Sequence, residues 1–419
     1  LYYKYELPYA SELEQSVIHN FIKTEVEVQT FNSLFSNIVD EMDKDPRALD
    51  RVKPDWARKV IRSARQALFT LFSHFDVRDI NPRHGPGAVS TKERLWDKYR
   101  WTDVPSRLTD VYPFDEFFCS SMGAVCDNYR SFSRLTDREP PAQVLLVPKD
   151  SRGPRLISCE PLALQWIQGG LGAAIVELVE KHPLTRGIVN FTDQAPNRRG
   201  ALYGSSSGRY ATLDLKEASD RVSLGLVRLL FPGHLVEALL ASRSMSTRLP
   251  NGEVLKLHKF APMGSSLCFP ILALTIWSLL HASMDTDSRE RILVYGDDVI
   301  VPTEQSAYAI GILESFGLKV NTDKSCTSGL FRESCGMDAI SGVCVTPVRF
   351  RTVWQTTPSP DAYVSWISYA NSLYDKHYFT AYDYVVGELH AIYGAIPSDR
   401  QRLSCPSLRE VSELNEPNR

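Results

Sequence analysis

The apolar positions of this chain keep two rhythms, and each predicts a different element. Residues 11–75 read as mostly helical. Within them VIRSARQALFTLFSHF (60–75) spaces its apolar side chains three and four apart, as one face of a helix does. NPRHGPGAV (81–89) breaks the pattern with Pro82, Gly85, Pro86 and Gly87. AQVLLVPK (142–149) is a strand candidate, and the polar turn DSRGP leads to a second one, RLISC. A helix is expected over 161–181. SSSGR (205–209) reads as a flexible lead into the strand YATLDL (210–215). A helix over 218–230 follows, stopped by Pro232 and Gly233.

PNGEVLKL (250–257) carries the Asn-Gly signal of a hairpin. MGSS (263–266) is a small-residue turn before an apolar helix over 267–284. ILVY and VIVP flank Gly296, Asp297 and Asp298 as a second hairpin. An amphipathic helix over 307–317, a short strand LKVN (318–321) and a strand or hairpin SGVCVTPVRF (341–350) complete the middle of the chain. Residues 351–419 alternate helical patches with prolines, and no internal repeat is present. The order of elements is an α+β pattern, a small and mostly antiparallel sheet backed by helices.

Composition changes this picture little. The 419 residues are 43% hydrophobic and 23% charged, as in an ordinary soluble protein of two or three domains. A net charge of −3 argues for neither a membrane surface nor a basic nucleic-acid coat. It leaves room for a basic groove in an acidic protein. The eight cysteines include no C-x-x-C pair, so a zinc ribbon is not expected. The even spacing of Cys326, Cys335 and Cys344 reads as small buried residues in a reduced compartment. The longest apolar run, FPILALTIWSLL (269–280), is short for a bilayer span and suits a buried helix, so no membrane is expected. No signal peptide is expected before the first domain, and a chain opening on Leu1 is expected to lack its true N-terminus.

The chemistry is concentrated in ILVYGDDVIV (292–301). Two adjacent carboxylates, Asp297 and Asp298, stand between short apolar runs, where like charges repel and resist ionisation. Asp214 ends the strand YATLDL. Strand ends and hairpin turns on one sheet edge can meet, and three carboxylates there make an oxygen-rich site suited to Mg²⁺. Two such ions about 4 Å apart form the usual clamp for in-line phosphoryl transfer. Gly296 is small enough to let a substrate backbone approach the turn. An acidic surface turn is the competing reading of the triplet alone. Asp220, in DLKEASD, falls where a turn gives way to a helix. It either caps that helix or accepts a hydrogen bond from a ribose 2′-OH.

YATLDLKEASDRVS, PMGSSLCFPILAL and ILVYGDDVIVP resemble palm motifs A, B and C of viral RNA-dependent RNA polymerases. VPKDSRGPRLISCEP (147–161) resembles motif F of the fingers. With HGPGAV, FGLKVNTDKS, LFRESCG and SGVCVTP in the same order, residues 80–350 resemble the replicases of RNA bacteriophages, the levivirus or Qβ-like group.

The resemblance implies a right-hand fold of fingers, palm and thumb. Residues 1–205 and 232–261 would be fingers, 206–231 and 262–350 palm, and 351–419 a thumb shorter than the family's. It implies RNA-directed RNA synthesis from NTPs on a single-stranded template, with release of pyrophosphate. Asp214, Asp297 and Asp298 would hold two Mg²⁺ ions, for which Mn²⁺ can substitute. Asp220 would sense the 2′-OH together with Ser265 or Ser266. Lys149, Arg152 and Arg155 would neutralise the incoming triphosphate. Lys319 or Lys324 would act as general acid toward pyrophosphate. Arg332, Arg349 and Arg351 are candidates for template or primer phosphates, and His84 for a structural role. The implied partners are template and nascent RNA, host elongation factors Tu and Ts and a ribosomal protein. The implied location is the cytoplasm of a bacterial host. A reverse transcriptase and a catalytically inactive RNA-binding replication or assembly protein are the alternatives. Gly before Asp297, and the lack of a bulky aromatic inside motif A, weigh against the former.

Overall fold

The computed structural model describes residues 11–126, 137–150, 153–350, 352–398 and 406–409. The early helical spacing resolves into α1 (Ser11–Lys44) and α2 (Asp55–Leu71). Strands β1 (Ala142–Asp150) and β2 (Gly153–Cys159) match the strand pair expected there. Next come α3 (Leu162–Lys181), α4 (Ala195–Ser207) and β3 (Tyr210–Leu213). Helices α5 (Leu224–Leu230) and α6 (Gly233–Ser242) lead to β4 (Ser246–Arg248) and β5 (Val254–Lys256). Then follow α7 (Cys268–Ser283), β6 (Leu293–Tyr295), β7 (Asp298–Pro302) and α8 (Ser306–Ser315). Strands β8 (Phe331–Ser334), β9 (Met337–Ile340) and β10 (Val343–Cys344) precede α9 (Pro360–Asp375) and α10 (Phe379–Tyr393).

The strands form three small sheets, ordered β2-β1-β4-β5, β3-β7-β6 and β10-β9-β8. Apart from the parallel β1–β4 pair, the pairings described are antiparallel. The sheet that matters most is β3-β7-β6. Side chains alternate across it, so the cross-strand pair Val294–Val299 enters the main core while its neighbour Leu293–Ile300 turns to the other face. Helix α4 lies on that second face. A Cβ built on Gly200 would stand 2.8 Å from Ile300 and 2.9 Å from Leu293, and one on Gly204 2.9 Å from the Tyr210 carbonyl. The two glycines therefore allow a helix to lie almost against the strands.

Two units partition the chain: 18–145 with 156–345, and 1–17 with 146–155 and 346–419. The larger is organised around α7, whose residues from Pro270 to Leu280 are all buried. Helix α3 is apolar and long enough by composition to cross a bilayer, yet Leu164, Ile167, Leu171 and Ile175 are buried in the same core. The smaller unit has its own cluster, in which Ile367, Ala370 and Leu373 of α9 meet Tyr382 and Leu389 of α10.

Four expectations need correction. SSSGR is not a flexible lead, because residues 205–207 are the last turn of α4. The helix over 218–230 is broken: a short turn, Ala218–Arg221, ends before Ser223, whose side chain caps α5 through the Leu226 amide. The segment 341–350 contributes only the two residues of β10. LKVN forms no named strand, and Val320 makes a single bridge to Leu215.

Candidate active site

The register of β3 against β7 decides the geometry of the carboxylates. Tyr210 pairs with Pro302, Ala211 with Val301, Thr212 with Ile300 and Leu213 with Val299. Strand β3 ends at Leu213 and β7 begins at Asp298, so Asp214 follows β3 at the end of the sheet where β7 starts. Across the other edge Tyr295 pairs with Asp298, which leaves Gly296 and Asp297 as a two-residue turn. Asp214 and the distant pair Asp297 and Asp298 thus lie at one end of one sheet.

The turn has a specific conformation. Gly296 has φ 62°, a value that suits the first position of a type II′ hairpin turn. A Cβ there would stand 2.0 Å from the Phe269 ring. That ring is held by edge contacts to Phe191 and Tyr295. The expectation that Gly296 makes room for substrate is therefore corrected, since Gly296 is buried and the room is taken by Phe269.

Each carboxylate sits differently. Asp297 is exposed. Burial pushes the Asp298 carboxyl up to about 7, with the Asp297 charge adding to it. Glu333 on β8 contributes to the same repulsion, and its own carboxyl is raised by burial, then by Asp338 and Asp214. Asp214 is braced by the segment after α8. Its Oδ2 accepts a hydrogen bond from Asn321 at 2.7 Å, its amide donates to Ser325 Oγ at 3.1 Å, and Lys324 Nζ lies 3.7 Å from Oδ1. The result is a concentration of negative charge with little cationic compensation.

A hard divalent cation fits that donor set. Among the described residues no three His, Cys, Asp or Glu side chains form a ready-made cage. Mg²⁺ does not require one, because it is usually held by one or two carboxylates together with waters and substrate phosphates.

The remaining expected residues divide clearly. Both lysines are exposed; Lys324 is the one beside Asp214, whereas the charge of Lys319 acts on Glu27. Asp220 is inside the Ala218–Arg221 turn instead of capping it, and its Oδ1 accepts from Lys259 Nζ at 2.9 Å. Ser265 is buried and donates to Gln168 Oε1 at 2.9 Å, which is a packing role, while Ser266 is exposed. Lys149 lies near the end of β1 and Arg155 on β2, both exposed. Arg152 and Arg351 lie outside the described residues, and Arg349 is exposed in the smaller unit.

Arg332 is a correction. It is fully buried and donates to the carbonyls of Tyr210, Ser328, Gly329 and Phe331, so it cannot serve phosphate. Arg332→Met is expected to cost about 2–4 kcal/mol of stability. The salt slope of RNA binding should stay unchanged, since a lost phosphate contact would lower it by about 0.7. Denaturant melts and binding titrations at several salt concentrations check both. His84 packs among Tyr99, Trp101 and Trp166, in keeping with a structural role.

Three contributors escaped sequence reasoning. Asn197 on α4 is buried and donates to the Asp298 carbonyl at 3.0 Å. Asn321 lies in a stretch already singled out, FGLKVNTDKS, yet it reaches Asp214 through bridges that form only in the fold, Leu215–Val320 and Thr212–Cys326. Lys259 carried no signal beyond being a lysine in a mostly apolar stretch.

Comparison with known proteins places the chain. Its residues 51–360 match the family described as RNA replicase, beta-chain, and the chain belongs to that family. The RNA-directed RNA polymerase subunit beta of Enterobacteria phage SP is 32% identical over 308 residues, covering 71% of this chain and 51% of that protein. Its namesake in Escherichia virus Qbeta is 36% identical over 221 residues, covering 52% of this chain and 36% of that protein. The chain thus spans about half of the first relative's length and about a third of the second's. A solved Sicinivirus 3Dpol RNA dependent RNA polymerase aligns over 81% of this chain and 85% of its own, at 14% identity and a TM-score of 0.42, a likeness too distant to carry an argument.

Proposed function

We propose that the chain carries the nucleotidyl-transfer centre of an RNA-directed RNA polymerase, copying single-stranded RNA of an RNA phage from NTPs. The observation that carries this reading is the pairing of β3 with β7, which brings Asp214, just past Leu213, to the end of the sheet where Asp298 begins β7 and Asp297 lies in the adjoining turn. In a replicase family, carboxylates so placed are suited to two Mg²⁺ ions, held by Asp214, Asp297 and Asp298. When bound, the ions supply activation of the attacking 3′-oxygen and stabilisation of the leaving pyrophosphate.

The chain's own groups do the rest. Asn321 and Ser325 fix Asp214, Asn197 fixes the Asp298 backbone, and Asp220 receives the ribose 2′-OH. Lys149, Arg152 and Arg155 neutralise the triphosphate. Lys324, through its place beside Asp214, is the general acid in preference to Lys319. Lys324→Ala is expected to lower the rate of incorporation about a hundredfold. Lys319→Ala should change it little, and single-turnover kinetics distinguish the two. The β3-β7-β6 sheet lies in the palm, residues 206–231 and 262–350; residues 1–205 and 232–261 are the N-terminal region and fingers, and 351–419 the thumb.

The enzyme acts in the cytoplasm of a bacterial host, with elongation factors Tu and Ts and a ribosomal protein as partners by family resemblance alone. RNA synthesis on a structured single-stranded template tests the whole reading. It compares NTPs with dNTPs, with and without bacterial extract. Incorporation of dNTPs in preference to NTPs would instead make the chain a reverse transcriptase. RNA binding with no incorporation under any condition would make it an inactive binding protein.

A further inference from the structure

We infer that Lys259 is the positioning residue for Asp220, and through it for selection of ribose over deoxyribose. The inference rests on the polymerase reading above, in which Asp220 receives the 2′-OH. Its physical basis is separate from the metal-binding carboxylates.

Lys259 follows β5 in the stretch leading to the turn before α7. Its side chain is 0% exposed. Nζ stands 2.9 Å from Asp220 Oδ1, 3.1 Å from Glu25 Oε2 on α1, and 3.6 Å from the centroid of the Phe21 ring. The backbone around it holds the same two segments together. Leu224 N donates to His258 O at 2.9 Å and Phe260 N to Val222 O at 2.7 Å, while Glu25 Oε1 accepts from Lys259 N at 3.1 Å. One lysine therefore ties the first helix to the turn that bears Asp220.

A buried ammonium is costly unless it is paired, and an aromatic face adds a further favourable contact. Glu25, itself buried, already neutralises it. The second carboxylate is not needed for that purpose, which points to a function on the Asp220 side. Asp220 is 19% exposed, and among the described residues no hydrogen bond reaches its Oδ2. One oxygen is anchored to a rigid, fully buried donor. The other stays open to a ligand, with its direction set by the first. That is what recognition of a single hydroxyl requires, because the 2′-OH is the only group by which a ribonucleotide differs here from its deoxy counterpart. Without the anchor the carboxylate is free to rotate, and the acceptor is no longer pre-aimed.

The test compares kcat/KM for an NTP and the matching dNTP on one RNA template, in the chain with its host factors. Asp220→Asn is the reference and is expected to reduce the NTP preference about tenfold, the worth of one hydrogen bond to a charged group. Lys259→Met should reduce it by a comparable factor, through a higher KM for the NTP with the dNTP values little changed. Lys259→Arg should restore part of the preference. Adding Asp220→Asn to Lys259→Met should bring no further loss. Glu25→Gln with Lys259→Met strands no buried charge and gives the same readout if the single variant fails to fold. If the Lys259 variants lose thermal stability or overall rate while the NTP:dNTP ratio stays at the wild-type value, Lys259 is only a structural ion pair and the inference falls. If Asp220→Asn itself leaves the ratio unchanged, the role given to Asp220 falls first and takes the inference with it.

Discussion

Asp297→Asn is expected to lower nucleotide incorporation by about a thousandfold or more, equivalent to several kcal/mol of transition-state stabilisation. The fold should survive it. Asp297 is an exposed turn residue, and its charge raises the carboxyl of its buried neighbour Asp298. Removing one of two adjacent like charges relieves repulsion, so the melting temperature should hold or rise slightly. Activity and stability therefore move independently, which is the signature of a ligand residue and not of a packing one. Incorporation assays over a range of Mg²⁺ concentrations, beside thermal melts, read the two effects. A variant that keeps wild-type incorporation would remove Asp297 from the site and with it the proposed metal chemistry.

Gly296→Ala is expected to do the reverse, damaging structure first and activity as a consequence. Its φ of 62° disfavours a Cβ, and the methyl would stand 2.0 Å from Phe269. Phe269 cannot swing aside freely, because Phe191 and Tyr295 hold its edges. Overpacking and the left-handed backbone together are expected to cost about 3–5 kcal/mol. Relief of that strain would displace the turn that carries Asp297, so incorporation should fall as well. The discriminating measurement is the pair Gly296→Ala and Gly296→Ala with Phe269→Leu. Part of the stability should return in the second, since the smaller side chain vacates the contested space. A double variant no more stable than the single would show that backbone conformation alone limits this turn.

Much of the fold was legible in the chain because periodicity is a local property. The hairpin was readable from two apolar runs flanking Gly296, Asp297 and Asp298, and the structure narrows its turn to Gly296 and Asp297. Helix α7 was readable from its unbroken apolar face, and the β4–β5 hairpin from Asn251 and Gly252. The failures share one cause. Gly200, Gly204 and the three serines that follow look like breakers when judged alone. In the fold the glycines allow α4 to approach the sheet, and packing against β3, β6 and β7 outweighs their poor helix propensity. Arg332 looked like a phosphate ligand because a sequence displays a charge without its burial. Four backbone carbonyls receive that guanidinium, and the one from Tyr210 reaches it only after β8 packs beside β3.

By itself the sequence determined which residue types were available for the chemistry. It supplied an aspartate at the end of one strand, a pair in a hairpin turn, and lysines and arginines in stretches resembling those of phage replicases. Only the tertiary structure decided which of them act together. The pairing of β3 with β7 brought Asp214 to the end of the sheet that carries Asp297 and Asp298, the segment after α8 set Lys324 beside Asp214, and a buried lysine with no motif of its own reached Asp220. The reason is that strand pairing and burial are settled by contacts between residues far apart in the chain. Charge and periodicity can nominate such residues, but distance and desolvation assign their roles.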